Sequence, residues 1–178
     1  MGRMGETQEL IDKPLSTEEL VTRYRAMSTD PCFANVPGKL ELDSWGRVLM
    51  TPPSFYHGVI AGRLVHKLAA ALGAEAVTDA TVATPSGLFL PDVAWASPQF
   101  MSQHGSEFAV TRAPEICIEV VSPSNSVKEL NEKRGAYLAA GAHEVWTVYP
   151  QSKRIEVYGA QGQLPRSNYL VDLRDIFH

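Results

Sequence analysis

Two carboxylates set in apolar surroundings constrain this chain more than any other feature. In EICIEVV, residues 115–121, Glu119 interrupts a run of strand formers, and in LFLPDVAWA, residues 88–96, Asp92 does the same. An ionised carboxylate in an apolar strand needs a partner charge, strong hydrogen bonds or a metal. Strand side chains alternate, so Glu115, Cys117, Glu119 and Val121 share one face while Ile116, Ile118 and Val120 share the other. Likewise Leu88, Leu90, Asp92 and Ala94 share a face. If the two strands are neighbours, Asp92 and Glu119 converge, and two close carboxylates repel unless a divalent cation neutralises them. Magnesium, or manganese in its place, suits oxygen ligands and keeps several waters, which leaves room for a phosphate. Such a cation polarises a phosphoryl oxygen and acidifies bound water. In the bland alternative, Asp92 opens a turn after Pro91 and Glu119 pairs with a core arginine. Both readings stand at this point.

The surrounding pattern is α/β. Residues 1–15 read as a flexible tail, and residues 16–178 as a single domain. Ser16-Thr17 cap a short helix, EELVTRYRAM, with acidic residues in its first turn. KLELD and RVLMT, around Ser44-Trp45-Gly46, read as a β-hairpin. In FYHGVIAGRLVHKLAAALG, Ile60, Leu64, Leu68 and Leu72 recur every four residues, an amphipathic helix that Gly73 is placed to end. Residues 75–97 hold two or three strands, and 97–114 a surface loop with one helical turn. Strand 115–121 leads through Ser122-Pro123 to a helix over 127–140, with Ser126 and Glu129 spaced as a capping box. HEVWTVY and RIEVY form a second hairpin, and LVDLRDIF closes the chain. Helices and strands in this order predict a mixed central β-sheet flanked by helices.

The helix over 127–140 brings cations near the carboxylates. Val127, Leu130, Tyr137 and Leu138 form its apolar stripe. Lys133 flanks that stripe, Lys128 projects to the opposite side, and Arg134 lies nearer the stripe's centre. Periodicity alone does not choose between Lys133 and Arg134, and both could simply snorkel around the core edge.

PDVAW, IEVVSPSN, the spacing of Glu129, Lys133, Tyr137 and Gly141, and HEVWTVYP together resemble the Uma-two family of restriction endonucleases, within the PD-(D/E)XK nuclease superfamily. Pro52 to His57 before a helix, the Glu41 hairpin and LVDLRDIF are similar to it too. The likeness runs over about residues 17–178. It implies a restriction-endonuclease-like core and metal-dependent hydrolysis of DNA phosphodiesters. Asp92 matches the motif Asp and Glu119 the motif Glu, so both would hold magnesium, helped by the Val120 carbonyl. Val121 stands where the superfamily pattern has Lys. Within this family the Lys comes from the following helix, at the position of Lys133, which would orient the attacking water or stabilise charge on the phosphate. Tyr149 stands where the family has Asp.

Other features narrow the field. The 44% apolar content is ordinary for a soluble globular protein, and no apolar run approaches the roughly 18 residues that span a bilayer. The polar start, MGRMGETQELIDK, is not a secretion signal. Two cysteines without a CxxC argue against a zinc ribbon or redox pair, and Cys117 reads as a buried thiol in a reducing, cytoplasmic setting. A net charge of −4 argues against coating nucleic acid by bulk electrostatics, though bound cations can supply local positive charge. HExxH, GxSxG, P-loop and GxGxxG motifs are absent. His57, at a helix start, reads as structural more readily than as a substrate contact. Two functions compete: an active endonuclease, plausibly a homodimer because cutting both strands needs two sites, and a nuclease-like domain that binds nucleic acid or protein without cleaving. A hydrolase of smaller phosphodiesters is a lesser third.

Overall fold

The computed structural model describes residues 13–36, 38–52 and 54–178. Most of the expected N-terminal tail, residues 1–12, therefore lies outside the described residues. Ser16 opens α1 (Thr17–Thr29) with a full capping box, in which its hydroxyl accepts the Glu19 N–H and the Glu19 carboxylate accepts the Ser16 N–H. The first hairpin forms as read, β1 (Lys39–Asp43) against β2 (Val48–Thr51). Ser54 caps α2 (Phe55–Leu72), which buries Ile60, Leu64 and Leu68 along one stripe.

Residues 75–96 supply four strands rather than two or three. They are β3 (Glu75–Val77), β4 (Val82–Thr84), β5 (Gly87–Phe89) and β6 (Val93–Ala96). Strands this short leave little alternation to read. Pro91 has no N–H for a ladder, so the chain breaks between β5 and β6, and the two enter different sheets. After α3 (Pro98–His104) come β7 (Ile116–Val120), α4 (Val127–Ala139), β8 (Glu144–Tyr149), β9 (Arg154–Gly159) and β10 (Gly162–Leu164).

The strands assemble into two sheets, where the sequence pattern suggested one. A six-stranded sheet runs β10-β9-β8-β7-β6-β3 and is mixed, because β7 and β8 are parallel across the α4 crossover while its other pairs are antiparallel. A four-stranded antiparallel sheet runs β2-β1-β5-β4. On one face of the larger sheet, α2 and the C-terminal Ile176 pack over Ile116, Ile118, Trp146 and Val148. On the other, Cys117 and Val145 meet Ala136 and Tyr137 of α4 and Val82 and Phe89 of the smaller sheet. The outer layer is α1, with Leu20 and Met27 packed on Leu42 and Leu88. Among the described residues no helix is long and apolar enough to cross a membrane.

The buried stripe of α4 differs from its sequence pattern. Val127 is 75% exposed, and the buried positions are Leu130, Lys133, Ala136 and Tyr137. Lys133 thus lies in the stripe rather than beside it, as its spacing of three from Leu130 and four from Tyr137 permits. Ser126 accepts the Glu129 N–H, but the Glu129 carboxylate turns to the Asn125 amide at 3.1 Å, so the N-terminus has half a capping box and a braced Ser-Pro turn.

Within the smaller sheet, β1 and β5 approach closely at Gly87. Its φ of +150° is one that side chains rarely adopt, and a Cβ there would run into the Leu42 carbonyl across the β1–β5 pair. Gly87→Ala should cost about 1–3 kcal/mol in a urea melt. A loss well under that would show that β1 can shift away from β5.

Candidate active site

The register of β6 against β7 brings the two carboxylates together. Val93 pairs with Ile118 and Ala94 with Cys117, so Asp92, one residue before β6, falls opposite Glu119. Directly opposed residues point to the same side of a sheet. That side faces α4 and the smaller sheet, whose β1 contributes Lys39 and Glu41, two residues apart and on one face. From α4 come Lys133 and Tyr137, one turn apart, and from the first turn of α2 comes His57.

Asp92 is 8% exposed and fully engaged. Its Oδ1 accepts from Lys39 Nζ at 2.5 Å, and its Oδ2 from the Val120 N–H at 2.8 Å, with His57 Nε2 at 3.1 Å. Lys39 Nζ also donates to the Leu90 carbonyl at 2.6 Å. Glu119 is 5% exposed and more sparsely held. Its Oε1 accepts from the Tyr137 hydroxyl at 2.7 Å, and its Oε2 lies 3.5 Å from Lys133 Nζ. The stronger partner of Lys133 is Glu41, at 2.7 Å from Oε2 and 2.9 Å from Oε1, and Glu41 Oε1 also accepts the Leu90 N–H at 2.7 Å. Among the described residues every buried side-chain nitrogen and oxygen has a partner.

The electrostatics separate the two carboxylates. Burial alone would raise the Asp92 pKa, but the His57 hydrogen bond and the Lys39 charge outweigh it and bring Asp92 down to about 2. Burial raises Glu119 to about 7, with Lys133 pulling down and Asp92 pushing up. Burial would likewise lower the two lysines, yet Glu119 and Asp92 raise Lys39 and Glu119 and Glu41 raise Lys133, so both stay ammonium. The hydrogen bond to Asp92 raises His57 against its burial. Burial, then Glu119, keeps Tyr137 firmly protonated, as its donor role requires.

Asp92, Lys39 and His57 form the floor and wall of a cleft of about 660 Å³, whose other walls include Tyr24, Phe33 and Asp79. Lys133 and Glu119 lie behind that floor. Among the described residues no three or more His, Cys, Asp and Glu side chains gather around a point that could hold a metal ion. The site instead offers two hard-oxygen carboxylates and a charge imbalance. Three buried carboxylates, Glu41, Asp92 and Glu119, face two buried ammoniums, Lys39 and Lys133, with His57 as a further partner of Asp92, and Glu119 is the carboxylate least compensated. Donor chemistry and charge both fit a divalent cation that takes its remaining ligands from water and substrate.

With this arrangement described, likeness to known proteins places the chain. A family model described as "Uma2: Putative restriction endonuclease" matches residues 24–176. The chain belongs to the Uma2 family. A crystal structure of a putative nuclease belonging to DUF820, from Anabaena variabilis, superposes with a TM-score of 0.67 at 17% identity, covering 92% of this chain and 98% of that one, so the two share a fold. No curated protein matches this Uma2 chain.

Of the residues singled out from sequence, Asp92, Glu119 and Lys133 are brought into one cluster. Arg134 is not; it stacks on the Tyr158 ring at 3.6 Å from the centroid. Tyr149 ends β8, with its hydroxyl on Glu156 at 3.0 Å, outside the cluster. His57 proves to be a partner of Asp92 rather than a helix-start residue alone. The sequence marks Glu41 only as part of a family-like hairpin and gives Lys39 no role, because KLELD reads as an ordinary alternating strand. Tyr137 was read as apolar stripe, and its hydroxyl was the signal overlooked.

Two outcomes follow. Lys133→Met should destabilise by about 3–5 kcal/mol in denaturant melts, because it strands Glu41 and Glu119 in the interior. A loss below about 1 kcal/mol would mean that water reaches the pair. Glu119 has its folded pKa raised from 4.5 to about 7, so the stability it contributes is complete below pH 4.5 and lost as pH rises through 7. Without divalent cations, Glu119→Gln should therefore gain on wild type between pH 5 and pH 8, by roughly 1–3 kcal/mol. His57 titrates in both proteins, so the difference between them reports Glu119. Parallel pH profiles would show Glu119 ionised throughout.

Proposed function

We propose that this Uma2 protein is a divalent-cation-dependent endonuclease that hydrolyses DNA phosphodiester bonds. One observation carries the reading: Asp92 and Glu119 lie opposed on neighbouring strands, Asp92 lining a cleft and Glu119 just behind it, with Glu119 the less compensated of the two. Asp92 and Glu119 would hold magnesium, with manganese able to replace it. When bound, the cation supplies Lewis acidity to a phosphoryl oxygen and acidity to a water.

The chain's own groups do the holding. The Val120 N–H and His57 fix Asp92, and the Tyr137 hydroxyl fixes Glu119. From sequence, Lys133 was assigned to the water or the phosphate. At 2% exposure its charge acts on Glu119 from behind, keeping that carboxylate ionisable and in place. His57, with 24% of its side chain exposed, brings an imidazole able to take up or release a proton to the cleft wall. Cutting both strands of a duplex takes two such sites, which a homodimer supplies. The rival reading, a domain that binds nucleic acid or protein without cleaving, draws on the ion pair between Lys39 and Asp92, which already satisfies that carboxylate.

Cleavage of mixed linear and circular DNA in magnesium, with Asp92→Asn and Glu119→Ala as controls, separates the two. Each substitution should reduce the rate about 100-fold or more. Wild-type cleavage no greater than that of Glu119→Ala would favour the non-cleaving domain. Magnesium or manganese should also raise the melting temperature by mass action, and Asp92→Asn should blunt that rise. An equal rise in both proteins would put the cation elsewhere.

A further inference from the structure

Of the cluster's two ammoniums, Lys39 is the one nearer solvent. Its side chain is 14% exposed, against 2% for Lys133, and it lines the cleft that Lys133 does not reach. Its ammonium touches Asp92 Oδ1 and lies within the field of Glu119, Asp92 and Glu41 together. It therefore sits where the two proposed ligands make the potential most negative, the same region a divalent cation would seek. Two cations on one carboxylate oxygen repel each other at such range even in a partly screened site, which favours the more highly charged one and pushes the ammonium away.

The two lysines differ in how freely they can leave. Moving Lys133 strands Glu41 and weakens the hold on Glu119, both buried. Moving Lys39 leaves Asp92 with the Val120 N–H and His57 on Oδ2, and frees Oδ1, which the entering cation takes, and the Leu90 carbonyl. Its stem is long, and the open direction from it is the cleft. An ammonium moved that way needs a new anion, and a phosphodiester in the cleft provides one.

We propose that Lys39 is a displaceable counter-ion: in the free protein its ammonium neutralises the Asp92–Glu119 pair, and an entering divalent cation drives it off Asp92 toward the substrate phosphate. This rests on the metal site proposed above. It makes cation and DNA binding mutually reinforcing, since each stabilises the displaced state and the coupling is reciprocal. It also gives the phosphate a lysine contact although Val121 occupies the usual lysine position.

Manganese affinity, measured by titration calorimetry on the full chain with and without a non-cleavable phosphorothioate oligonucleotide, tests it. Lys39→Met should bind manganese about tenfold more tightly than wild type without DNA, and the oligonucleotide should strengthen binding to wild type far more than to the variant. Lys128→Met, on the exposed face of α4, should behave as wild type. Unchanged affinity in Lys39→Met, with binding lost in Asp92→Asn, overturns the displacement and leaves the metal site standing. No manganese binding by either protein overturns both. A second measurement needs no variant: magnesium should raise amine-reagent labelling of Lys39 in the wild-type protein, read by peptide mass spectrometry, and unaltered labelling overturns the proposal even if Lys39→Met does not fold.

Discussion

The Lys133 ammonium between Glu41 and Glu119 is the contact on which the rest of this structure depends. It joins three elements that share no ladder: β1 of the smaller sheet, α4, and β7 of the larger one. Buried ion pairs contribute little net stability over well-packed apolar residues, but breaking one is costly. Their effect is on placement. An apolar contact between the sheets would tolerate a small slide, whereas an ammonium held at 2.7 Å by a buried carboxylate would not. Because Glu41 also accepts the Leu90 N–H, the same contact sets the β5–β6 connection and hence the start of β6, where Asp92 stands. Fold and site thus share their fixing points.

The two opposed carboxylates have opposite acidities because their surroundings were divided unequally. Asp92 receives an ammonium, a peptide N–H and an imidazole, all at 3.1 Å or less. Glu119 receives one phenol at 2.7 Å and an ammonium 3.5 Å away that leans toward Glu41. Two carboxylates pushed apart in this way are poised for different tasks. Asp92 is ionised across the physiological range, so it can anchor. Glu119 sits near its titration point, so its charge responds to whatever cation arrives.

Both carboxylates could be found in the sequence because a charge in an apolar strand is anomalous on its face. The first hairpin, α2 and α4 were legible from periodicity and caps, and the β7–α4–β8 unit from the Ser-Pro turn between strand and helix. The smaller sheet was not. Its strands β4 and β5 are three residues each, too short for alternation to show, and what assigns them to a separate sheet is Pro91, a single missing donor. The roles of Lys39 and Glu41 were hidden for the opposite reason. Charged residues alternating with leucine in KLELD are what any half-exposed strand looks like, and only the second sheet over β7 makes that face an interior. Val127 erred the other way: its apolar side chain suggested a core position, but it opens α4 where nothing packs over it.

On the proposed reading, Val121 accounts for the use of two lysines. A lysine there, two residues after Glu119 on the same strand, could both neutralise the carboxylates and reach the cleft. With valine in its place those duties fall to cations from other elements, and burial divides them. Lys133 arrives from α4 beneath the sheet, so it meets Glu119 from the protein side and is sealed there. Lys39 arrives from β1 at the cleft wall, so it meets Asp92 from the solvent side. In the proposed mechanism a single residue could not be both an immobile core counter-ion and a mobile contact for substrate, since the first role penalises the movement that the second needs. Placing the cations on separate elements removes that conflict, and it makes the geometry of β1 as much a part of the site as the strand that carries Glu119.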